Sequence, residues 1–198
     1  MKRGFKTRCE NLSLQLRKQM GLLPSAPLSP HSLAEHIHVW LAEPEDIVGL
    51  SSKSLEMLLH TRSGDWSAVT LTYGDVNLII YNRSHSIARQ SSDLMHELAH
   101  ILLGHAPGPQ FVHPQSGIIL RDYNQEQEDE ATWFAGCLLL PRMALLHARS
   151  AGTSNEEICQ LYGVSLALLE FRLRLTGVDA QFRHRTHSPA RRQRCVSE

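Results

Sequence analysis

Asp93-Leu94-Met95-His96-Glu97-Leu98-Ala99-His100-Ile101-Leu102-Leu103-Gly104 is the stretch on which the reading of this chain turns. Leu94, Leu98, Ile101 and Leu102 recur at the spacing of one helix face. The segment therefore predicts a helix, opened by Ser92-Asp93 and stopped at Gly104. A helix advances about 100° per residue, which stacks His96 and His100 on one face. Two imidazoles so placed can share one metal ion, and Glu97 beside them is within reach of a water held by that ion. His-Glu-x-x-His on a helix is the pattern of zinc hydrolysis, with Glu97 as the general base.

A catalytic zinc takes three protein ligands and keeps one position open. His105 is the nearest further histidine, but the metzincin pattern needs a glycine three and a histidine six residues after the second ligand. Gly104 and His105 stand four and five after His100, which is the wrong register. The other solution is a glutamate on a later helix. Gln125 to Leu140 predicts such a helix, stopped by Pro141, and its start carries Glu126, Glu128 and Glu130. Glu128 is in phase with Ala131, Ala135 and Leu138, small or apolar residues that allow close helix approach, so it is the first choice and Glu130 the second.

Upstream the period changes from helical to alternating. Val69 to Tyr73 and Val76 to Tyr81 are β-prone runs separated by Gly74-Asp75, a hairpin turn pair. Residues 10 to 20 read as helical, 23 to 30 as a proline-rich connector, and Ser32 as the start of a short helix leading into an extended stretch from Ile37 to Leu41. Gly104 to Tyr123, rich in proline and glycine, reads as loop. Beyond the Glu128 helix, Ser154-Asn155-Glu156-Glu157 is a capping box, Tyr162 to Ser165 a turn, and Leu166 to Leu175 a second helix closed near Gly177. That outline is helix-turn-helix-like. Leu166, Leu168, Leu169, Phe171, Leu173 and Leu175, with only Glu170, Arg172 and Arg174 among them, favour packing against the body over reading base edges.

Composition sets the outer bounds. The chain has 198 residues, 42% hydrophobic, enough for one sizeable core. Lys plus Arg and Asp plus Glu balance at 20 each, so no global basic field drives nucleic-acid binding, and direct contact with nucleic acid is not expected. The basic start, Met1 to Lys6, is not followed by the apolar run of a signal peptide, and no segment reads as a membrane span, so a cytoplasmic location is expected. Cys9, Cys137, Cys159 and Cys195 form no CxxC pair and read as free thiols. His31, His36, His38, His60, His85 and His147 show no ligand spacing and receive no role.

His96-Glu97-Leu98-Ala99-His100-Ile101-Leu102-Leu103-Gly104-His105, followed by Glu128-Asp129-Glu130-Ala131-Thr132-Trp133-Phe134-Ala135-Gly136-Cys137-Leu138-Leu139-Leu140-Pro141, resembles the ImmA/IrrE family of bacterial and phage metallopeptidases. In that family a helix reading Glu-x-x-Ala-Asn-x-Phe-Ala and ending in Leu-Leu-x-Pro supplies the third zinc ligand, which the resemblance puts at Glu128. The similarity extends upstream through Asn82, Ser86 and Arg89-Gln90 and downstream to about Gly177. Thr132 departs from it, standing where the family usually has Asn or Asp; its hydroxyl can still hydrogen-bond to a ligand.

The resemblance implies an α+β, minimal zincin-like fold: a small, antiparallel-leaning sheet packed on the HExxH and Glu128 helices, then a helical helix-turn-helix-like segment. Expected divisions are 1–30 (helix and connector), 31–145 (zincin-like domain), 146–178 (helical subdomain) and 179–198 (basic disordered tail). It also implies a zinc endopeptidase acting on an intracellular protein, a helix-turn-helix transcriptional repressor, with zinc on His96, His100 and Glu128. The alternative is a non-hydrolytic regulator using the same shell to bind a transcription factor or DNA. In zincins an extended substrate pairs with an edge strand, for which Val76 to Tyr81 is the expected candidate. Tyr81, Arg89, His105, His113 and Tyr123 are the candidates for stabilising the oxyanion.

Overall fold

A computed structural model of the chain describes residues 1–105, 110–112, 119–121 and 124–186. Helix α1 (Phe5–Gln19) leads through the proline-rich connector to α2 (Pro30–His36) and strand β1 (Val39–Ala42). Ser29 and Pro30, rather than Ser32, start α2, with proline in the first turn where its missing N–H costs nothing. Short helical turns follow, among them α3 (Ser52–Glu56), and then the hairpin of β2 (Ala68–Tyr73) and β3 (Val76–Tyr81) at its expected place. After it come α4 (Ile87–Leu103), the short strands β4 (Gln110–Val112) and β5 (Ile119–Arg121), and α5 (Gln125–Leu139). The last four helices are α6 (Arg142–Ser150), α7 (Asn155–Tyr162), α8 (Leu166–Thr176) and α9 (Val178–Thr186).

The main sheet has the order β1-β3-β2. β3 pairs antiparallel with β2, Ala68 opposite Tyr81 and Tyr73 opposite Val76, and parallel with β1, Val39 opposite Asn77. This overturns one expectation: Val76–Tyr81 is the central strand, hydrogen-bonded on both sides, and the open edges belong to β1 and β2. A parallel partner arriving from 38 residues upstream leaves no local mark on β3. The stretch expected to be all loop between α4 and α5 carries a second, two-stranded ladder, Phe111 opposite Leu120.

Helix α4 lies between this sheet and α5. Leu94, Met95, Leu98 and Ala99 are fully buried, and they meet Ala131, Phe134, Ala135 and Leu138 of α5 in one core with Ile79 of the sheet. The helix starts earlier than Ser92-Asp93. Ser86 is its cap, accepting from the Arg89 backbone N–H at 3.4 Å, and Gln90 Nε2 donates to the carbonyls of Arg83 and His85 at 2.9 and 2.7 Å. Asp93 instead faces His85 Nδ1 at 3.2 Å.

The far end of α5 is closed by side-chain donors from distant parts of the chain. A helix leaves its last carbonyls without partners and carries partial negative charge there. Ser13 Oγ donates to the Cys137 carbonyl at 2.7 Å, Arg17 Nη2 to that of Leu138 at 2.7 Å, and Arg172 Nε to that of Leu140 at 2.9 Å. Both arginines are buried, and burial lowers the Arg17 pKa to about 10. Arg172 also pairs with Glu10, whose other oxygen accepts the Arg142 backbone N–H at 2.9 Å. A Cβ on Gly136 would stand 3.1 Å from Arg172 Cδ, so this glycine makes room for the guanidinium stem.

Residues 125–150 are apolar and long enough to cross a membrane by composition, with mean hydropathy 1.2, contrary to the expectation that no segment qualifies. They are two core helices meeting at Pro141, and 67% of the most apolar window is buried. α6 runs unbroken across residues 145 and 146. α7 carries the expected capping box of Ser154 and Glu157, and α8 turns Leu169, Arg172 and Leu173 inward. Residues 179–186, expected to belong to a disordered tail, continue the fold as α9, held by Arg149 Nε to Asp179 at 2.8 Å and Arg142 Nη2 to Gln181 at 2.9 Å. The rest of the basic tail, with Arg191, Arg192, Arg194 and Cys195, lies outside the described residues. Cys9 and Cys137 are buried free thiols, and desolvation pushes Cys9 up to about 12, far from thiolate chemistry.

Candidate metal centre

His96 and His100 project from one face of α4 towards Glu128 in the first turn of α5. His96 Nε2 lies 3.0 Å from Glu128 Oε2 and 3.0 Å from His100 Nε2, and His100 Nε2 lies 3.5 Å from the same carboxylate oxygen. All three ligand atoms fall within 4.8 Å of one another. A tetrahedral zinc with bonds of 2.0–2.2 Å holds its ligand atoms roughly 3.3–3.6 Å apart. The triangle is a few tenths of an ångström tighter than that on two sides, and the donor set of two imidazoles and one carboxylate is one zinc accepts. These residues fit the metal. Their side chains are 20–32% exposed, so the group is partly open to solvent. Burial, and next the neighbouring His96, hold the His100 pKa below its ordinary value and favour the neutral imidazole that a metal requires.

The spacing of α5 explains why Glu128 is the residue in place. Asn124 caps the helix through its side chain, accepting from the backbone N–H groups of Glu126 and Gln127 at 3.1 and 3.3 Å. Ala131 and Ala135, on the Glu128 side, are buried against α4. Glu126 instead pairs with the N-terminal amine at 2.9 Å. Glu130 does not join the three ligand atoms; its Oε2 lies 3.5 Å from His105 Nε2.

Around this triangle stand three further side chains. Thr132 Oγ1 is 3.4 Å from His96 Nδ1, on the side of the ring away from Glu128. His105 Nδ1 is 3.0 Å from His100 Nδ1. Thr70 of β2 donates its hydroxyl to Glu97 Oε2 in a short hydrogen bond. The sequence reading passed over Thr70, because a threonine on a strand carries no mark of the glutamate it will meet 27 residues later.

Of the candidate oxyanion donors, Tyr81 donates its hydroxyl to Glu43 at 3.2 Å, while Arg89 reaches Ser67 at 3.3 Å and Asp93 at 3.8 Å. His105 stands behind His100, and His113 and Tyr123 lie outside the described residues.

A helix bearing His-Glu-x-x-His, backed by a small mixed sheet and faced by a glutamate-bearing helix, defines the class: a small metallopeptidase domain of the zincin kind. Residues 53–174 match the family model of the peptidase IrrE N-terminal-like domain, and the chain belongs to this family, the ImmA/IrrE metallopeptidases. The family is of the zinc metallopeptidase type. No curated protein matches the chain.

Proposed function

We propose that this protein is a zinc-dependent endopeptidase of the cytoplasm that cleaves a specific protein, a helix-turn-helix transcriptional repressor. The observation that carries the chemistry is the meeting of His96, His100 and Glu128 beside an intact Glu97. Membership of the family supports peptidase chemistry, and the repressor substrate is what the resemblance to that family implies.

His96, His100 and Glu128 would hold the zinc, which would supply a Lewis acid able to bring the pKa of water towards about 7. Glu97 takes the proton of the attacking water and returns it to the nitrogen of the leaving amine. Thr70 fixes one oxygen of that carboxylate and thereby its orientation. Thr132 and His105 hold the ring planes of His96 and His100 from behind. The open edge of β2, which packs against α4 and carries Thr70, is the strand beside which an extended substrate segment lies.

The test uses the purified protein and a Glu97→Gln variant, each assayed for metal and then incubated with a helix-turn-helix repressor encoded beside it. About one zinc in each, with fragments in the mass spectrum only for the unmodified protein, is the expected result. Zinc in both with an intact repressor bound equally by both points to the non-hydrolytic regulator instead, and a protein that takes up no zinc refutes the site.

A further inference from the structure

We infer that His105 and Glu130 form a relay behind His100 that fixes which nitrogen of the His100 ring faces the metal, so that both are positioning residues for zinc. The inference rests on the reading of His96, His100 and Glu128 as ligands.

The path to His105 begins with backbone. Gly104 ends α4 with φ of +67°, a left-handed conformation that costs glycine little. The Gly104 N–H bonds the Ile101 carbonyl at 3.0 Å and the His105 N–H bonds the His100 carbonyl at 3.0 Å, the paired closure of a Schellman end. That closure folds the chain back, so the side chain of His105 returns to the residue five positions earlier. Its ring is almost fully buried, with 8% of the side chain exposed, and its centroid lies 5.0 Å from that of His100.

Proton positions then follow in sequence. His100 turns Nε2 towards His96 and Glu128, so Nε2 must be free of its proton to bind metal, and the ring's one proton sits on Nδ1. Nδ1 faces His105 Nδ1 at 3.0 Å, which therefore accepts. The proton of His105 is left on Nε2, pointing at Glu130 Oε2 across 3.5 Å. That distance is long for a good hydrogen bond but short enough for the carboxylate to favour this tautomer by charge. The chain of groups runs from Glu130 through His105 to His100, each link setting the next. His105 cannot itself be a ligand from this place, because it meets the back of the His100 ring and not the side that faces Glu128. Among the described residues His96 has the hydroxyl of Thr132, at 3.4 Å, in the corresponding position, so the two histidines are held by different groups.

The experiment measures zinc affinity by competition with a chromophoric chelator for the unmodified protein, His105→Ala, His105→Gln, Glu130→Gln and the His105→Ala/Glu130→Gln double variant. Cobalt(II) spectra and thermal unfolding of the metal-free proteins accompany each. His105→Ala is expected to weaken zinc about 10- to 100-fold, the usual cost of losing a group that orients a ligand. Glu130→Gln is expected to weaken it by a smaller factor, and the double variant to be no weaker than His105→Ala, because Glu130 acts through His105. His105→Gln, whose amide oxygen can still accept from Nδ1, recovers part of the loss. The cobalt bands stay in place, since the ligands are unchanged. Affinities of His105→Ala and Glu130→Gln within twofold of the unmodified protein overturn the relay, as do independent additive losses in the double variant or cobalt bands that report a missing ligand. Should His105→Ala fail to fold, Glu130→Gln and His105→Gln decide the matter alone. Failure of the underlying reading looks different: the unmodified protein then binds no zinc, or a His96→Ala variant binds it equally well.

Discussion

Replacing Arg172 by methionine removes a buried cation from the end of α5 while keeping most of its aliphatic stem. Two interactions go at once. The Leu140 carbonyl loses a charged donor at 2.9 Å, worth about 1.5–3 kcal/mol, and Glu10 loses the guanidinium it pairs with. Removing one partner of a buried ion pair costs about 3–5 kcal/mol in general. Here the figure is lower, because the Glu10 side chain is 23% exposed and keeps the Arg142 N–H at 2.9 Å. The two losses overlap, and about 3 kcal/mol in all is the expected destabilisation. With a urea m-value of about 2.5 kcal/mol/M, the unfolding midpoint falls by about 1.2 M with unchanged slope. Glu10→Gln, which leaves a neutral acceptor facing Arg172, is expected to cost about half as much. Pairing Arg172→Met with Glu10→Gln removes both charges and keeps an amide acceptor for the Arg142 N–H, so it is expected to cost less than the sum of the two single changes, the sign of coupling in a double-mutant cycle. A midpoint shift below about 0.3 M for Arg172→Met, or simple addition of the two single effects, refutes the view that this pair closes the helix.

The remaining predictions concern the site. Thr132→Asn places a longer acceptor where Thr132 Oγ1 now stands 3.4 Å from His96 Nδ1; zinc affinity, read by chelator competition, is expected to rise by up to about tenfold, whereas Thr132→Val lowers it. Thr70→Val leaves Glu97 without the hydroxyl that holds Oε2, and single-turnover cleavage of the proposed repressor substrate is expected to slow by about tenfold with zinc content and substrate affinity unchanged.

The sequence carried what depends on neighbours and left out what depends on distance. His96, Glu97 and His100 declare themselves because the helix repeat alone aligns them, and the Gly74-Asp75 hairpin is written within a dozen residues. Phase with Ala131 and Ala135 favours Glu128 but leaves Glu130 as a second choice, and the family resemblance is what points to Glu128. The central place of β3 is not legible there, since it requires β1 to arrive in parallel from beyond a long connection. Arg17 and Arg172 look in the sequence like ordinary surface charges, yet both are buried by carbonyls more than thirty positions away. His105 is near the ligand pair in sequence, and that nearness alone makes it look like a ligand. Its position behind His100 follows from the turn at Gly104, whose left-handed end was signalled by the glycine but whose consequence for the next side chain was not.

The staple formed by Ser13, Arg17 and Glu10 gives α1 a standing that family boundaries do not convey. The matched domain begins at residue 53, so three of the groups that complete the helix bearing Glu128 come from outside it. Cut at the domain edge, the chain would leave the Cys137 and Leu138 carbonyls without these donors and Arg172 without its counter-ion. The smallest unit that can hold the metal-side glutamate steady is therefore larger than the smallest unit that can be recognised. The amino-terminal helix acts as a built-in prosthesis of the metal-site helix, supplying from outside the recognised domain the donors and counter-ion that its last turn lacks.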